Sequence, residues 1–551
     1  MYKKGKNAVM TPMLAALLLL LFSVGYVSAP SASSVSVLVN KCNSFMIGKD
    51  AMLDGSVVST QTAGCVRIWL VPAASHGRGD TRVVKGYNEY DKNRLEVAPP
   101  VRSGPTQEIP EVEHTYAHVM GDWWPIMNEK QVSVGETTLG GGCRKELSPS
   151  KNSDAILRLT DVTKVALERA STAREAIEIV GSLMEKYGWN AWQPEVGEFL
   201  SLADKNEVWA FEIVPAGPNW KKNSGEPGAA WCAMRIPDDK FAISANESII
   251  GEIDLADKAN FMASSNVKSL AIKHGWWDPK GGKPFRWDLA YWGKKSNNIR
   301  VWRALSLVAP SQNLKPDADG YPNPIKPDKK LTILDIRKIL ADQLEGTEFD
   351  RTKGLAAGPF RCPWWPAGTP NMRDTIPDLT GPSIVISQSR NWLPDPIGGV
   401  MWVGIGGWGD ATVYVPFYAG VTRLPKAYTT GIETNFSWDS AFWIFNLVAN
   451  WTRLQYEHMI KEVQKLQIAL ESRELNRQAA IDEEAYSLYE QNPSLAIEYL
   501  SAYCEENANR VLDTWRELAA YLITWYYDKS WVSKVHEAPD WWRALLEKAQ
   551  K

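Results

Sequence analysis

The stretch Lys41-Cys42-Asn43-Ser44-Phe45-Met46-Ile47-Gly48, followed by Asp54-Gly55 and then by Ser56-Val57-Val58-Ser59, decides the fold. Strand-like runs on either side of an Asp-Gly pair are the strongest short hairpin signal, because that pair takes the positive-φ turn that matches strand twist. Cys42 therefore heads the first strand of a hairpin. The segment allows two readings of this cysteine: a buried or disulfide-bonded residue, or a nucleophile. In the second, a cut after Lys41 makes Cys42 the mature N-terminus and sets its thiol beside its own α-amine. An α-amine titrates near pH ~8, low enough to take the thiol proton, so such a pair needs no histidine. The 551-residue chain has only 6 histidines. The segment is not a lipoprotein box, since Val39-Asn40-Lys41 lacks the Leu and small residues required.

Upstream, Lys3, Lys4 and Lys6 precede an apolar run over 13–24, and Val27-Ser28-Ala29 offers small residues. This is the pattern of a secretory signal peptide. The run is shorter than the roughly 20 residues of a membrane span; the alternative is an uncleaved anchor. The expectation is a signal peptide over 1–29, a short propeptide over 30–41, action outside the cytoplasm (periplasmic or secreted), and no stable membrane span once the signal is removed.

Downstream, strand-like pieces recur at 131–136, 199–203, 208–214, 241–245, 383–387 and 411–418. The spacing predicts a helix over 161–187, with Ala166, Ala170, Ala173, Ile177, Val180 and Met184 on its apolar face and Gly188 at its end. Residues 310–330 read as a loop and 331–344 as a helix. From Ser440 the composition shifts: Leu454, Met459, Val463, Leu466 and Leu470 recur at helical spacing, and 485–527 repeats the habit. The expectation is a layered α+β body over 42–440 with a helical region over 441–551 packed on it.

Lys plus Arg is 61 and Asp plus Glu is 64, a net charge of −3, which excludes a strongly basic nucleic-acid binder. With 44% hydrophobic and 23% charged residues, the chain is too apolar for a disordered protein. The 26 Trp imply aromatic-lined clefts or a thick core, and Trp209 and Trp392 read as core. The six cysteines, Cys42, Cys65, Cys143, Cys232, Cys362 and Cys504, are widely spaced with no C-x-x-C, so neither a zinc module nor a dense disulfide framework is indicated. Gly404-Ile405-Gly406-Gly407-Trp408-Gly409 fits G-x-G-x-x-G, but a strand-like run follows where a dinucleotide site needs a helix, so it reads as a Gly-rich turn. His114 and His118 stand four apart, without the Glu after the first and in a β-like stretch. No cofactor or metal is expected.

Further motifs accompany Cys42: Gly48-Lys49-Asp50-Ala51, Asp54-Gly55-Ser56, Met127-Asn128-Glu129, Gly135-Glu136-Thr137-Thr138, Ala203-Asp204-Lys205-Asn206-Glu207-Val208-Trp209, Arg235-Ile236-Pro237-Asp238-Asp239, Ser244-Ala245-Asn246, Glu345-Gly346-Thr347, and Trp392-Leu393-Pro394-Asp395 with Gly398-Gly399. In order and number they resemble the dipeptidases of the N-terminal-nucleophile (Ntn) cysteine hydrolases, relatives of penicillin V acylase and bile salt hydrolase. The resemblance covers nearly the whole chain after residue 41. It implies a four-layer αββα sandwich and hydrolysis of a short peptide amide through an acyl-thioester on Cys42. It implies catalytic roles for Asn246 and the Asn128 region at the oxyanion and for Arg300 near the nucleophile. On their own residues, Asn128 also reads as a turn residue, Arg300 as a structural ion pair, and Glu136 as either a structural or a functional carboxylate.

One departure matters. Relatives carry an acidic residue near the position Gly64 takes here, close to the nucleophile's amine, and often an arginine just before it. This chain has Thr60-Gln61-Thr62-Ala63-Gly64-Cys65. Cys65 on the same hairpin also leaves open a Cys42–Cys65 disulfide, which would silence the thiol. The expected function is an exported cysteine dipeptidase acting on dipeptides or short peptides. The alternatives are an Ntn acylase acting on N-acyl amino acids and a degenerate peptide- or glycan-binding surface protein. A homo-oligomer is compatible with the sequence.

Overall fold

The computed structural model describes residues 41–63, 65–84, 107–122, 125–139, 143–150, 152–191, 197–364, 373–377, 383–527, 534 and 536–550. The expected signal peptide and nearly all of the expected propeptide lie outside the described residues. Residues from Asn40 onward form one compact unit.

Asp54-Gly55 makes the turn that the sequence predicts. Asp54 Oδ1 accepts from the Ser56 N–H at 3.1 Å, and Gly55 has φ +85°, a conformation that glycine adopts without steric penalty. The hairpin pairs Met46 with Ser59 and Ile47 with Val58. It sits inside a six-stranded antiparallel sheet whose strands run, across the sheet, Phe241–Ser244, Ser44–Ile47, Val57–Ala63, Ser383–Ser389, Val400–Gly404 and Val415–Tyr418.

A second antiparallel sheet has eight strands, in the order Phe261–Ala263, Ala229–Arg235, Val208–Pro215, Gly197–Ala203, Ser133–Leu139, Pro125–Asn128, His118–Gly121 and Ile68–Val71. The two sheets touch through small hydroxyl side chains. Ser44 bonds Ser201 at 2.8 Å, Ser59 bonds Ser133 at 3.4 Å, and Thr137 bonds Ser244 at 2.6 Å. Gly135 lies where a Cβ would come within 2.6 Å of the Thr60 carbonyl oxygen, so only glycine permits this approach.

Helices cover the apolar sides. Phe45, Ile47, Ile243, Ile384 and Ile386 of the first sheet share a core with Val301, Ile336, Phe445, Val463 and Trp515. Those residues come from the helices Ile299–Val308, Ile333–Leu340, Ala441–Thr452, Tyr456–Gln491 and Pro493–Trp525. Leu200, Leu202 and Phe211 of the second sheet pack on Val162, Ala166, Ile177 and Val180. Fully burying side chains of this size stabilises by about 1.5–3 kcal/mol each.

The single helix expected over 161–187 is two: Leu159–Arg169 and Ala173–Tyr187. The break falls at Ala170-Ser171-Thr172, because Thr172 caps the second helix. Its side chain accepts from the Glu175 N–H at 3.2 Å, while the Ser171 N–H and hydroxyl both donate to Glu175 Oε2 at 2.7 Å. Capping of this kind outweighs the continuous apolar spacing. Gly406, Gly407 and Gly409 all have positive φ and turn the chain between the strands Val400–Gly404 and Val415–Tyr418, so no helix N-terminus follows the glycine run. His114 and His118 lie on two short strands rather than on a helix. Trp209 is fully buried as expected, but Trp392 is 50% exposed. No helix among the described residues is long and apolar enough to cross a membrane.

Candidate active site

Cys42 is buried two residues before the strand Ser44–Ile47. That strand pairs Ser44 with Ser244, and the residues after Ser244 are therefore carried alongside Cys42. Asn246 turns back with φ 61°, a left-handed conformation for which Asn is among the better-suited residues. Its Nδ2 donates to the Thr138 carbonyl of the other sheet at 2.7 Å.

Arg300 arrives from a different element. Asn298 caps the helix Ile299–Val308 by accepting from the Arg300 N–H at 2.9 Å, and its own Nδ2 donates to the Ala245 carbonyl at 3.0 Å. This pins the first helical turn to the Asn246 turn and sends the guanidinium inward, where Arg300 is 3% exposed. Nη1 donates to the Cys42 carbonyl at 2.9 Å and to Asn43 Oδ1 at 3.1 Å; Nη2 donates to the Ala245 carbonyl and to Asn246 Oδ1, each at 2.9 Å. Arginine stays charged in proteins, so the group sets a fixed positive charge behind Cys42.

The thiol faces a carboxyl. Cys42 Sγ donates to Glu136 Oε1 at 3.7 Å, and Gln61 Nε2 donates to the same oxygen at 3.4 Å. Glu136 stands on Ser133–Leu139, which is paired along its length with Gly197–Ala203 but meets Pro125–Asn128 only at Ser133. The Glu136 backbone N–H donates instead to Gln61 Oε1. Burial pushes the Glu136 carboxyl up to about 7, against the lowering effect of hydrogen bonds involving Cys42, Glu198 and Gln61. Burial, with the neighbouring Glu136 charge, holds Glu198 well above the usual carboxylate range.

Lys41 is held on the other side of Cys42. Its carbonyl accepts from Asn43 Nδ2 at 3.3 Å and its Nζ pairs with Asp374 at 2.6 Å. Asn43 Nδ2 also donates to the Ile376 carbonyl at 2.6 Å. The Cys65 thiol donates to the Arg67 carbonyl at 2.8 Å, a different partner from that of Cys42.

Of the four site residues expected from sequence, the structure brings Cys42, Asn246 and Arg300 together and leaves Asn128 out. Both Nδ2 hydrogens of Asn128 go to helix-end carbonyls, of Leu167 at 2.7 Å and Ala170 at 2.8 Å, and its Oδ1 accepts from the Lys130 and Val132 N–H groups. The side chain is filled by the scaffold, and the backbone N–H groups of Asn128 and Glu129 donate to the Val132 and Ala117 carbonyls, each at 2.9 Å, so Asn128 is a turn and helix-end residue and its segment leaves no such donor for an oxyanion.

Glu136, which the sequence allowed as either a structural or a functional carboxylate, lies at Cys42, whereas Gln61 and Glu198 were not foreseen as site residues. The available signal was a charge within a strand of otherwise apolar and hydroxyl residues. Glu212 was missed as well. Its buried carboxylate accepts from Ser248 Oγ at 2.6 Å, the Ile249 N–H at 2.7 Å, the Ile250 N–H at 3.1 Å and Trp287 Nε1 at 2.7 Å, which fixes the loop that follows Asn246. A thiol beside a carboxyl, a buried guanidinium and a carboxamide on one side form a constellation suited to nucleophilic attack on a carbonyl carbon.

Comparison with known proteins gives a consistent set of likenesses. A family model described as peptidase family C69 matches residues 41–469. The chain is 25% identical over 504 residues to a probable dipeptidase of Latilactobacillus sakei, covering 88% of this chain and 95% of that protein. It is 24% identical over 443 residues to probable dipeptidase B of Streptococcus pyogenes serotype M1, covering 76% and 80%. A probable dipeptidase B of Lactococcus lactis is 27% identical over 296 residues, covering 51% and 56%.

Proposed function

The chain belongs to peptidase family C69, and from that premise we propose that it is an exported cysteine dipeptidase whose nucleophile is Cys42, freed as an N-terminal residue by a cut after Lys41. The observation that carries the reading is the grip of Arg300 on the Cys42 carbonyl while the thiol points at Glu136. The relatives named probable dipeptidases support short peptides as substrates. The two facing sheets with helices outside them support an Ntn-type αββα sandwich, with the helical region beyond Ser440 packed on it. The hold on the Lys41 carbonyl by Asn43 supports cleavage at that bond, whether by the protein itself or by another protease.

In the proposed cycle the Cys42 thiol adds to the substrate carbonyl and its proton passes to the Cys42 α-amine. The second Nδ2 hydrogen of Asn246 donates to the developing oxyanion; a donor so placed contributes about 2.7–4 kcal/mol. The α-ammonium then protonates the departing amine, leaving an acyl-thioester. Water, deprotonated by the amine, hydrolyses the thioester and regenerates the thiol.

Assays of the purified enzyme and of C42S against a panel of dipeptides and N-acyl amino acids test this. The reading predicts dipeptide hydrolysis that C42S abolishes. Hydrolysis of N-acyl amino acids alone would assign an acylase, and undiminished activity in C42S would overturn the nucleophile.

A further inference from the structure

The second strand of the hairpin, Val57–Ala63, carries no carboxylate, yet a carboxyl stands at Cys42. It comes from the other sheet. Gln61 clamps Glu136 from two sides, through its Nε2 on Oε1 and its Oε1 on the backbone N–H. Glu136 Oε1 also takes the Cys42 thiol. Glu136 Oε2 and Glu198 Oε1 are buried with no hydrogen-bond partner outside the Glu136–Glu198 pair among the described residues, and the two carboxyls bond to each other. Among the described residues, neither carboxyl has a Lys or Arg partner. Burying a carboxylate without a counter-charge is strongly unfavourable, and two adjacent carboxyls do not both ionise. In the uncut chain the pair is thus a buried acid site short of one cation.

Cutting the Lys41–Cys42 bond creates that cation. The new ammonium sits on Cα, next to the Cβ that carries the thiol. We propose that Glu136, sharing one proton with Glu198, is the carboxylate that pairs with the α-ammonium of mature Cys42 and positions it as the base. This deepens, and rests on, the reading of Cys42 as an N-terminal nucleophile. Glu136 does not take the thiol proton. That proton moves from Sγ to the amine, and the ammonium so formed is stabilised by the Glu136 charge. Glu198 keeps its proton, so the pair carries one negative charge throughout. The charged and titratable groups around Cys42 are its own thiol, Glu136 with its neighbour Glu198 on the second sheet, Arg300 at the Cys42 carbonyl, and the Lys41–Asp374 pair on the residue before it.

The sign follows. An anion beside the amine raises its pKa, so removing the anion lowers it, and the ascending limb of activity, which needs neutral amine, moves to lower pH. The test uses mature enzyme, E136Q and E198Q. Mass spectrometry of each N-terminus and the inactivity of C42S establish the Cys42 reading separately. The pH dependence of kcat/KM on a dipeptide, and of Cys42 alkylation by iodoacetamide, then reads the pairing. E136Q is expected to lose about 100-fold in kcat/KM and to shift both limbs down by about one pH unit, whereas E198Q, which keeps the Glu136 carboxylate, is expected to shift them by less. Should E136Q not fold, Q61A, which releases the clamp and keeps the carboxylate, is expected to show a smaller shift in the same direction. A parental limb in E136Q, or in Q61A if that variant carries the test, overturns the pairing while leaving the nucleophile standing. Full activity in C42S overturns both.

Discussion

Arg300 Nη1 donates to the Cys42 carbonyl oxygen at 2.9 Å, joining the first turn of one helix to the head of a strand 258 positions earlier. The guanidinium donates to acceptors of Cys42, Asn43, Ala245 and Asn246, so one planar fork sets the relative positions of the proposed nucleophile and the proposed oxyanion donor. Lysine keeps the charge and loses the fork. R300K is expected to reduce kcat by about 100-fold through misplacement alone. Steady-state kinetics check this, with circular dichroism to confirm the fold.

Asn246 and Asn128 separate a site residue from a scaffold residue. N246A is expected to lower kcat by about 100–1,000-fold. N128A leaves the Leu167 and Ala170 carbonyls without their donor and is expected to cost about 1–3 kcal/mol of stability, with kcat per folded molecule unchanged. Active-site titration with a thiol reagent, combined with urea denaturation, distinguishes the two outcomes.

Glu136 makes stability depend on pH in the uncut C42A chain. Its folded pKa is raised to about 7 by burial, above that of the unfolded chain. The favourable contribution is therefore fully present below the unfolded pKa and is lost as pH rises through about 7. C42A/E136Q is expected to gain stability over C42A between pH ~5 and pH ~8, by an amount on the order of 3 kcal/mol at most. Urea midpoints at the two pH values measure the difference.

Asp482 ties the long C-terminal helix to the body. It pairs with Arg390 in a buried contact, and Tyr418 donates its hydroxyl to Asp482 Oδ1 at 2.8 Å. Removing one partner leaves a buried charge alone, so D482A is expected to destabilise by about 3–5 kcal/mol. Thermal melting shows this, with dipeptide hydrolysis by the remaining folded fraction unaltered.

The hairpin, several of the strands and the helical C-terminal region were legible because period-2 and 3.6 patterns and an Asp-Gly turn are local signals, whereas strands such as Ala229–Arg235 and the order across each sheet were not. The break at Ser171-Thr172 was not, since Ala166, Ala170 and Ala173 continue the apolar face straight through it. Cys42, Asn246 and Arg300 could be named from motifs, and the β-register and the Asn298 cap explain why they meet. Asn128 was misplaced because an asparagine in a turn motif looks the same whether its amide serves a ligand or a helix end. Glu136 could be flagged as a carboxylate of either kind, but its contact with Cys42 and its pairing with Glu198 could not be read, because a carboxyl's partner across two sheets leaves no spacing in the sequence. The missing acid near Gly64 was visible, but its replacement from another strand was not.

The most direct test of the account is the mass of the N-terminal peptide of the active, purified enzyme. The account predicts a first residue of Cys42, with its α-amine free. An active enzyme that still carries Lys41 ahead of Cys42, or that begins after Cys42, would contradict it.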